Sequence, residues 1–366
     1  LKPSGSRPGA SDHPFSSAPE RRSLSVPVRP RSAGIAGRRS MAASRLGVDV
    51  RSPGVAKGLQ LQAKAIADLK LEKYALELEM NGLTVVPPEV TGVTLERVDK
   101  MVELLLARGE ELTGLHFDLD GGVVGEIDYS NLNLLGLAGQ GIGGEPPPKL
   151  TQIQIVQLAQ LDRVFRDLAI NPAALALVRQ MVGHQDTRLS STNSFIKWKG
   201  GGYGSNLGMH CDQSTPLPWG RIAMNANVNW CLTDYTKEGG AFAYVPGSHL
   251  RHHHPVFPAA VVQAVPVEAK RGSAIVFHGQ LWHGAFPKKT DGLRVTISNY
   301  YRHATVVPQE DVQNTFPRDL AKDCDDPQTL RGIIGFDASY TKQTPFLLVR
   351  AKKGAGKSDG PPAARL

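Results

Sequence analysis

Cysteine is scarce: Cys211, Cys231 and Cys324 are the only three in 366 residues, and no two stand in a CxxC spacing. A disulfide framework is thereby excluded, and a reducing compartment is the simplest expectation. Long apolar runs are also missing. No stretch approaches the roughly 18 apolar residues a spanning helix needs, so no membrane span is expected. Acidic residues are thin at the N-terminus, where residues 1–57 hold eleven Lys/Arg against three Asp/Glu. That imbalance equals the whole net charge of +8, so the rest of the chain is neutral and gives no sign of a nucleic-acid-binding surface.

The basic leader is rich in Arg, Ser, Pro and Gly, a composition that cannot bury enough apolar area to offset chain entropy, and it is expected to be disordered. Its Arg- and Ser-rich character also fits an organellar transit peptide; alternatively Met41 is the true start and the first forty residues are translated leader or fragment. At the other end residues 351–366 form a polar tail that closes on Ala-Arg-Leu, a tripeptide resembling the peroxisomal import signal. An intracellular address, cytoplasmic or peroxisomal, is therefore expected. Between leader and tail, residues 58–350 are expected to form the folded domain.

Apolar residues at helical spacing predict a helix over residues 58–80, closed by Asn81-Gly82 and followed by a short strand, "LTVVPP". A second helix is expected over 95–108, a Gly/Pro-rich surface excursion over 120–149, and two helices over 155–183 broken at Asn171-Pro172. From 187 to 302 the texture changes to short β-rich runs at 187–199, 222–232, 241–246, 273–278 and 293–301. Turn-punctuated strands of this kind predict a sandwich or barrel with the helices packed outside it.

Chemistry concentrates in "MHCDQ" at 209–213. If this stretch is extended, His210 and Asp212 share one face and Cys211 takes the other. Downstream, "FHGQLWHG" carries His278 and His283. They have opposite parity if the chain stays extended, so only one can join the pair. Two histidines and a carboxylate on one side of a metal leave its other side open for a chelating co-substrate and O₂. In "MNANVNW", Asn225, Asn227 and Asn229 alternate against Trp230, and either face could be the inner one. The histidines of "HLRHHH" (249–254) read as a solvated loop, and Lys197, Trp198 and Lys199 either touch an anionic substrate or line a strand. "GGGYG" (200–204) lacks the helix and lysine of a phosphate loop and reads as a flexible hairpin.

The order His-x-Asp, then "EGGAFAYVPGSH" at 238–249, then His283-Gly284, then Arg294 resembles the phytanoyl-CoA dioxygenase family of iron(II)- and 2-oxoglutarate-dependent oxygenases, over roughly residues 70–302. The resemblance implies a double-stranded β-helix, the jelly roll of cupins, mainly β with flanking helices. It implies iron(II) held by His210, Asp212 and His283, the last chosen over His278 by its distance from Arg294. Arg294 would clamp 2-oxoglutarate, whose carboxylate suits a permanently charged guanidinium fork. Thr296 on the same face would assist, and Trp230 would line the same pocket, turning its face inward. The implied activity is hydroxylation of a small-molecule or acyl substrate with O₂, releasing succinate and CO₂. Among rivals, a halogenase would lack Asp212, a cupin-like binding protein would not need Arg294, and a zinc hydrolase would need a base close by in sequence.

Overall fold

The computed structural model describes residues 53–124, 151–200 and 204–336. The basic leader, most of the Gly/Pro-rich excursion, the core of "GGGYG" and the C-terminal tripeptide lie outside the described residues. No described helix is long and apolar enough to cross a membrane.

The first apolar-spaced stretch forms two helices, α1 (Pro53–Asp68) and α2 (Glu72–Asn81), where one was expected. Lys70 takes a positive φ between them, and Leu71 drops into the core fully buried. The helical spacing ran through Leu61, Ala65, Leu69, Leu76 and Met80, of which four are exposed, and Leu71, off that spacing, is the side chain that wedges the corner. Gly82 ends α2 as expected, at φ 76° in the left-handed region, with its N–H on the Leu78 carbonyl. It leads into β1 (Leu83–Val86). Helix α3 (Leu95–Thr113) runs a turn longer than expected and is followed by the hairpin β2 (His116–Asp118) and β3 (Gly122–Val124). The stretch after 150 opens with a strand, β4 (Gln152–Ile155), before helices α4 (Arg163–Ala169) and α5 (Pro172–Val182). Asn171 sets the break between those helices. Its Oδ1 accepts the Ala174 N–H at 3.1 Å and its Nδ2 donates to the Thr91 carbonyl at 2.8 Å, so one buried amide caps α5 and ties it to the segment before α3.

The β region supplies β5 (Thr187–Lys197), β6 (Asn225–Cys231), β7 (Phe242–Tyr244), β8 (Val265–Pro266), β9 (Ala274–His278), β10 (His283–Ala285) and β11 (Arg294–His303). The large sheet runs β1-β9-β6-β11-β5-β4, every pair antiparallel. The small sheet runs β10-β7-β8. The two sheets face one another through Leu83, Ile275 and Phe277 on one side and Phe242 on the other, with the Phe242 and Phe277 ring centroids 4.8 Å apart. This is the jelly roll: mainly β, with helices on one outer face. A final helix, α6 (Pro327–Ile334), closes the described chain.

The pleat divides the large sheet sharply. Val228, Trp230, Ile196, Val276, Val295 and Ile297 point outward and join the helices in the main core. Their neighbours Asn227, Asn229, Lys197 and Thr296 point inward. Burying the outer row against α5 is the larger hydrophobic gain, at roughly 25 cal/mol per Å² of apolar surface, and it fixes which way every inner side chain faces. Near the end of β11, where the register with β5 shifts between Tyr300 and Tyr301, the pleat sends the two tyrosines to opposite faces. The Tyr301 hydroxyl donates to the Ala169 carbonyl on the helix side at 2.7 Å, and that of Tyr300 donates to the Asp212 carbonyl on the inner side at 2.9 Å.

Asn171→Ala should lower unfolding free energy by about 2 kcal/mol, combining a lost cap with a buried carbonyl left unpaired. Urea denaturation followed by circular dichroism checks this; Asn314→Ala, on an exposed pair with Asp311, should stay within about 0.5 kcal/mol of wild type.

Candidate metal centre

His210, Asp212 and His283 converge. One ligand atom from each lies within 4.8 Å of the other two, and among the described residues this is the one such cluster of three or more potential ligands. His210 Nε2 stands 3.4 Å from Asp212 Oδ1, and His283 Nε2 stands 3.4 Å from Asp212 Oδ2. Each imidazole is oriented by its other nitrogen. Nδ1 of His210 faces the Gly208 carbonyl at 2.7 Å, and Nδ1 of His283 faces the Leu281 carbonyl at 3.0 Å. A carbonyl can only accept, so Nδ1 carries the proton and the Nε2 lone pair is left for a ligand.

The pairing of His210 with Asp212 does not come from a strand. His210 makes a single β-bridge to His283, and Asp212 sits in a bend. The bridge is a two-way backbone exchange: His210 N–H to His283 O at 2.8 Å, and His283 N–H to His210 O at 2.9 Å. Gly284 permits it. A Cβ there would lie 2.2 Å from the Leu207 carbonyl oxygen, so the chain entering the site can pass only over a glycine. Cys211 does turn away, its thiol donating to the Gln280 carbonyl at 3.2 Å, and burial pushes its pKa up to about 12, which leaves it inert.

Asp212 is held from three directions. Asn227 Nδ2 donates to Oδ2, the Tyr300 hydroxyl donates to its backbone carbonyl, and His210 sits at Oδ1. Burial raises its pKa, but His283, His210 and Asn227 together outweigh this and hold the carboxyl below its ordinary value. Burial presses His283 the other way, down to about 4, against the pull of Asp212. At neutral pH the pair is therefore a carboxylate and a neutral imidazole, the two forms that bind cations. Rings of Phe242 and Phe277 pack on His283 at 5.2 and 4.9 Å and close that side. The His210 side chain is 54% exposed, so the cluster opens on its side.

His278 belongs elsewhere. The strand stops at His278 and turns through Gly279 and Gln280, so residues 275–283 are not extended and parity does not decide between the histidines. His278 is buried rather than solvated, packed 5.3 Å from the His249 ring, with Nδ1 accepting from the Gln280 N–H at 3.1 Å. Burial pushes it down to about 3. His249 is buried too, against the expectation of a solvated histidine loop; His254 at the end of that run is exposed.

Arg294 lies on the inner face of β11, buried, with Nη1 donating to the Gly240 carbonyl at 2.5 Å and the guanidinium 5.2 Å from the Tyr235 ring centroid. Thr296 shares that face, its hydroxyl bonded to the Tyr235 hydroxyl. Trp230 does not join them. It faces outward into the helix-side core, because Val228 and Ala226 on its side of β6 are the residues that α5 can bury. The inward face of that strand belongs to Asn225, Asn227 and Asn229. Asn227 and Tyr300 are thus site residues that motif reading passed over; the alternating amides were the available signal.

Residues 150–296 match the model of the phytanoyl-CoA dioxygenase family, a stretch narrower than the 70–302 suggested by motifs but including His210, Asp212, His283, Arg294 and Thr296. A dioxygenase of Aspergillus fumigatus, af480, is 33% identical over 177 residues, 47% of this chain and 56% of that protein. A probable phytanoyl-CoA dioxygenase of Caenorhabditis elegans is 25% identical over 184 residues, 44% of this chain and 58% of that protein. The chain thus spans a little over half the length of these relatives. Among solved structures, the epimerase SnoN with Fe3+, α-ketoglutarate and nogalamycin RO superposes with a TM-score of 0.45 at 20% identity, covering 72% of this chain and 91% of that one. HygX of Streptomyces hygroscopicus with nickel and 2-oxoglutarate gives 0.44 at 18% identity, covering 64% and 87%. Residues 150–296, the stretch in which the motif residues stand, are therefore similar to the phytanoyl-CoA dioxygenase family.

Proposed function

We propose that this chain is an iron(II)- and 2-oxoglutarate-dependent dioxygenase that hydroxylates a small-molecule or acyl substrate and releases succinate and CO₂. The observation that carries the reading is the convergence of two Nδ1-anchored histidines and one carboxylate, with a buried arginine on the inner face of the same barrel. The donor set fits the metal: two neutral imidazole nitrogens and one carboxylate are the ligands that non-haem iron takes with several positions left open. Arg294 fits the co-substrate, because its Nε is buried and has no hydrogen-bond partner among the described residues.

His210, Asp212 and His283 would hold the metal, and Arg294 would take the far carboxylate of 2-oxoglutarate, with the Tyr235-tethered Thr296 beside it. Bound together, metal and co-substrate supply the oxidising chemistry, as cofactors generally do. The chain's own part is positional. Asn227 and Tyr300 fix the Asp212 carboxylate and the loop that carries it. Phe242 and Phe277 keep water from the His283 side. The exposed His210 side is where substrate and O₂ would approach.

Asp212→Ala should weaken Fe(II) binding about a hundredfold or more and abolish succinate formation, since it removes the sole carboxylate of the set. His283→Ala should do the same, whereas His278→Ala should keep iron and most turnover. Anaerobic iron titration and succinate assay check all three, and undiminished turnover by Asp212→Ala would sink the ligand assignment. Metal binding without 2-oxoglutarate turnover would instead favour a cupin-like binding protein.

Gly284→Ala should weaken Fe(II) binding at least about tenfold, the loss expected when a ligand's supporting contacts are disturbed. The same iron titration reads it, with the melting temperature followed in parallel. The larger fall should be in metal affinity, because the clash displaces the chain bearing His210 and leaves the helix-side core alone.

A further inference from the structure

Lys197 is the last residue of β5, and its Cα stands opposite Arg294 on one side and Gln152 on the other. Ile196 and Trp198, its neighbours in sequence, both pack in the helix-side core. The pleat therefore turns Lys197 inward onto the face that Arg294 occupies, and it is only 2% exposed. A third cation stands close. Lys288, in the connection between β10 and β11, is buried, with Nζ held at 3.1 and 2.9 Å by the Thr290 carbonyl and hydroxyl and at 2.9 Å by the Asp291 carbonyl. Three basic side chains from three segments thus gather at the Arg294 end of the barrel. Gln152 on β4 is neutral. The carboxylate of Asp291 is turned to solvent, paired with exposed Lys199 at 2.8 Å.

We propose that Lys197 is a second cationic contact, beside Arg294, for the far carboxylate of the dicarboxylate co-substrate. The proposal rests on the 2-oxoglutarate reading above. Arg294 has already committed Nη1 to the Gly240 carbonyl, so its free edge serves only part of a carboxylate, whose two oxygens accept up to four hydrogen bonds. An ammonium group from the adjoining strand supplies the remainder. Lysine, unlike arginine, can lose its charge while the pocket is empty. Burial, then Arg294, then Lys288 press Lys197 down to about 6. An arriving carboxylate reverses that pressure, so binding should take a proton from solvent. The complex holds more protons than the free protein, so affinity should fall as pH rises above about 6, by up to about tenfold per unit, and level off below it.

Calorimetric titration of the Ni(II)-loaded full chain with 2-oxoglutarate tests this without turnover. At pH 7.5, in buffers of differing ionisation enthalpy, wild type should take up close to about one proton per ligand. Lys197→Met should take up none, bind at least about tenfold more weakly and lose the pH slope, because the charged contact is gone. Its melting temperature should be no lower than wild type, since a buried amine is replaced by an apolar chain of similar volume. Lys197→Arg should recover affinity without the proton uptake. Wild type that binds with no proton uptake, or Lys197→Met that keeps both affinity and uptake, overturns the role of Lys197 alone. Wild type that does not bind 2-oxoglutarate at all overturns the functional reading and this proposal together.

Discussion

The side chains of a strand have two faces to choose from, and here the helices take the apolar one. Val228 and Trp230 on β6, Val295 and Ile297 on β11, and Ile196 on β5 are all drawn to the helix side. Once they are buried there, Asn227, Thr296, Arg294 and Lys197 have only the barrel interior left. The polar lining that makes a site possible follows from how the outer surface is covered. A one-residue slip in any of these strands would exchange the two sets, so the register that stabilises the fold is the same register that builds the site.

The ligand cluster is a second product of backbone geometry. No strand places His210 beside Asp212; a bridge to His283 does, and the bridge exists because Gly284 lets the 207–210 segment cross at a distance no side chain would tolerate. The glycine after the distal histidine is thus part of the site although it offers no ligand. The Nδ1 contacts to the Gly208 and Leu281 carbonyls are equally local, each two residues from its own histidine. Short-range backbone contacts orient both imidazoles, and long-range sheet register brings Asn227 and Tyr300 to the carboxylate.

This division explains what could be read from sequence. The strands with clear alternation, the Asn171-Pro172 break and the Gly82 cap were legible because each has a local cause. The clustering of His210, Asp212 and His283 was anticipated through the family resemblance, whose His-to-Arg spacing selected His283 over His278. Trp230 was misread because a strand with amides on one face and apolar groups on the other does not say which face the helices will cover; that depends on α5, a tertiary partner. The helix over 58–80 was misread as continuous because Leu61, Ala65, Leu69, Leu76 and Met80 keep a helical period straight across the corner that buried Leu71 makes. His278 and His283 could not be separated by parity, since the turn at Gly279 and Gln280 is written in no strong breaker pair. Strands as short as β8 and β10 carry too few residues to show a period at all.

A polar interior has a thermodynamic consequence. The donors Asn225 Nδ2 and Arg294 Nε are buried without a hydrogen-bond partner among the described residues, and each such atom costs on the order of 1–3 kcal/mol if left so. Cations at the Arg294 end add repulsion to desolvation. Sites of this kind hold local choices that a purely structural core would reject, and the well-packed helix-side core offsets them. What relieves them is a ligand that brings acceptors and negative charge, and its binding free energy is then partly stability recovered. The destabilised interior is therefore selective: an apolar guest would bury the same orphaned atoms without satisfying them, whereas an anion with several oxygens removes the desolvation and the repulsion together.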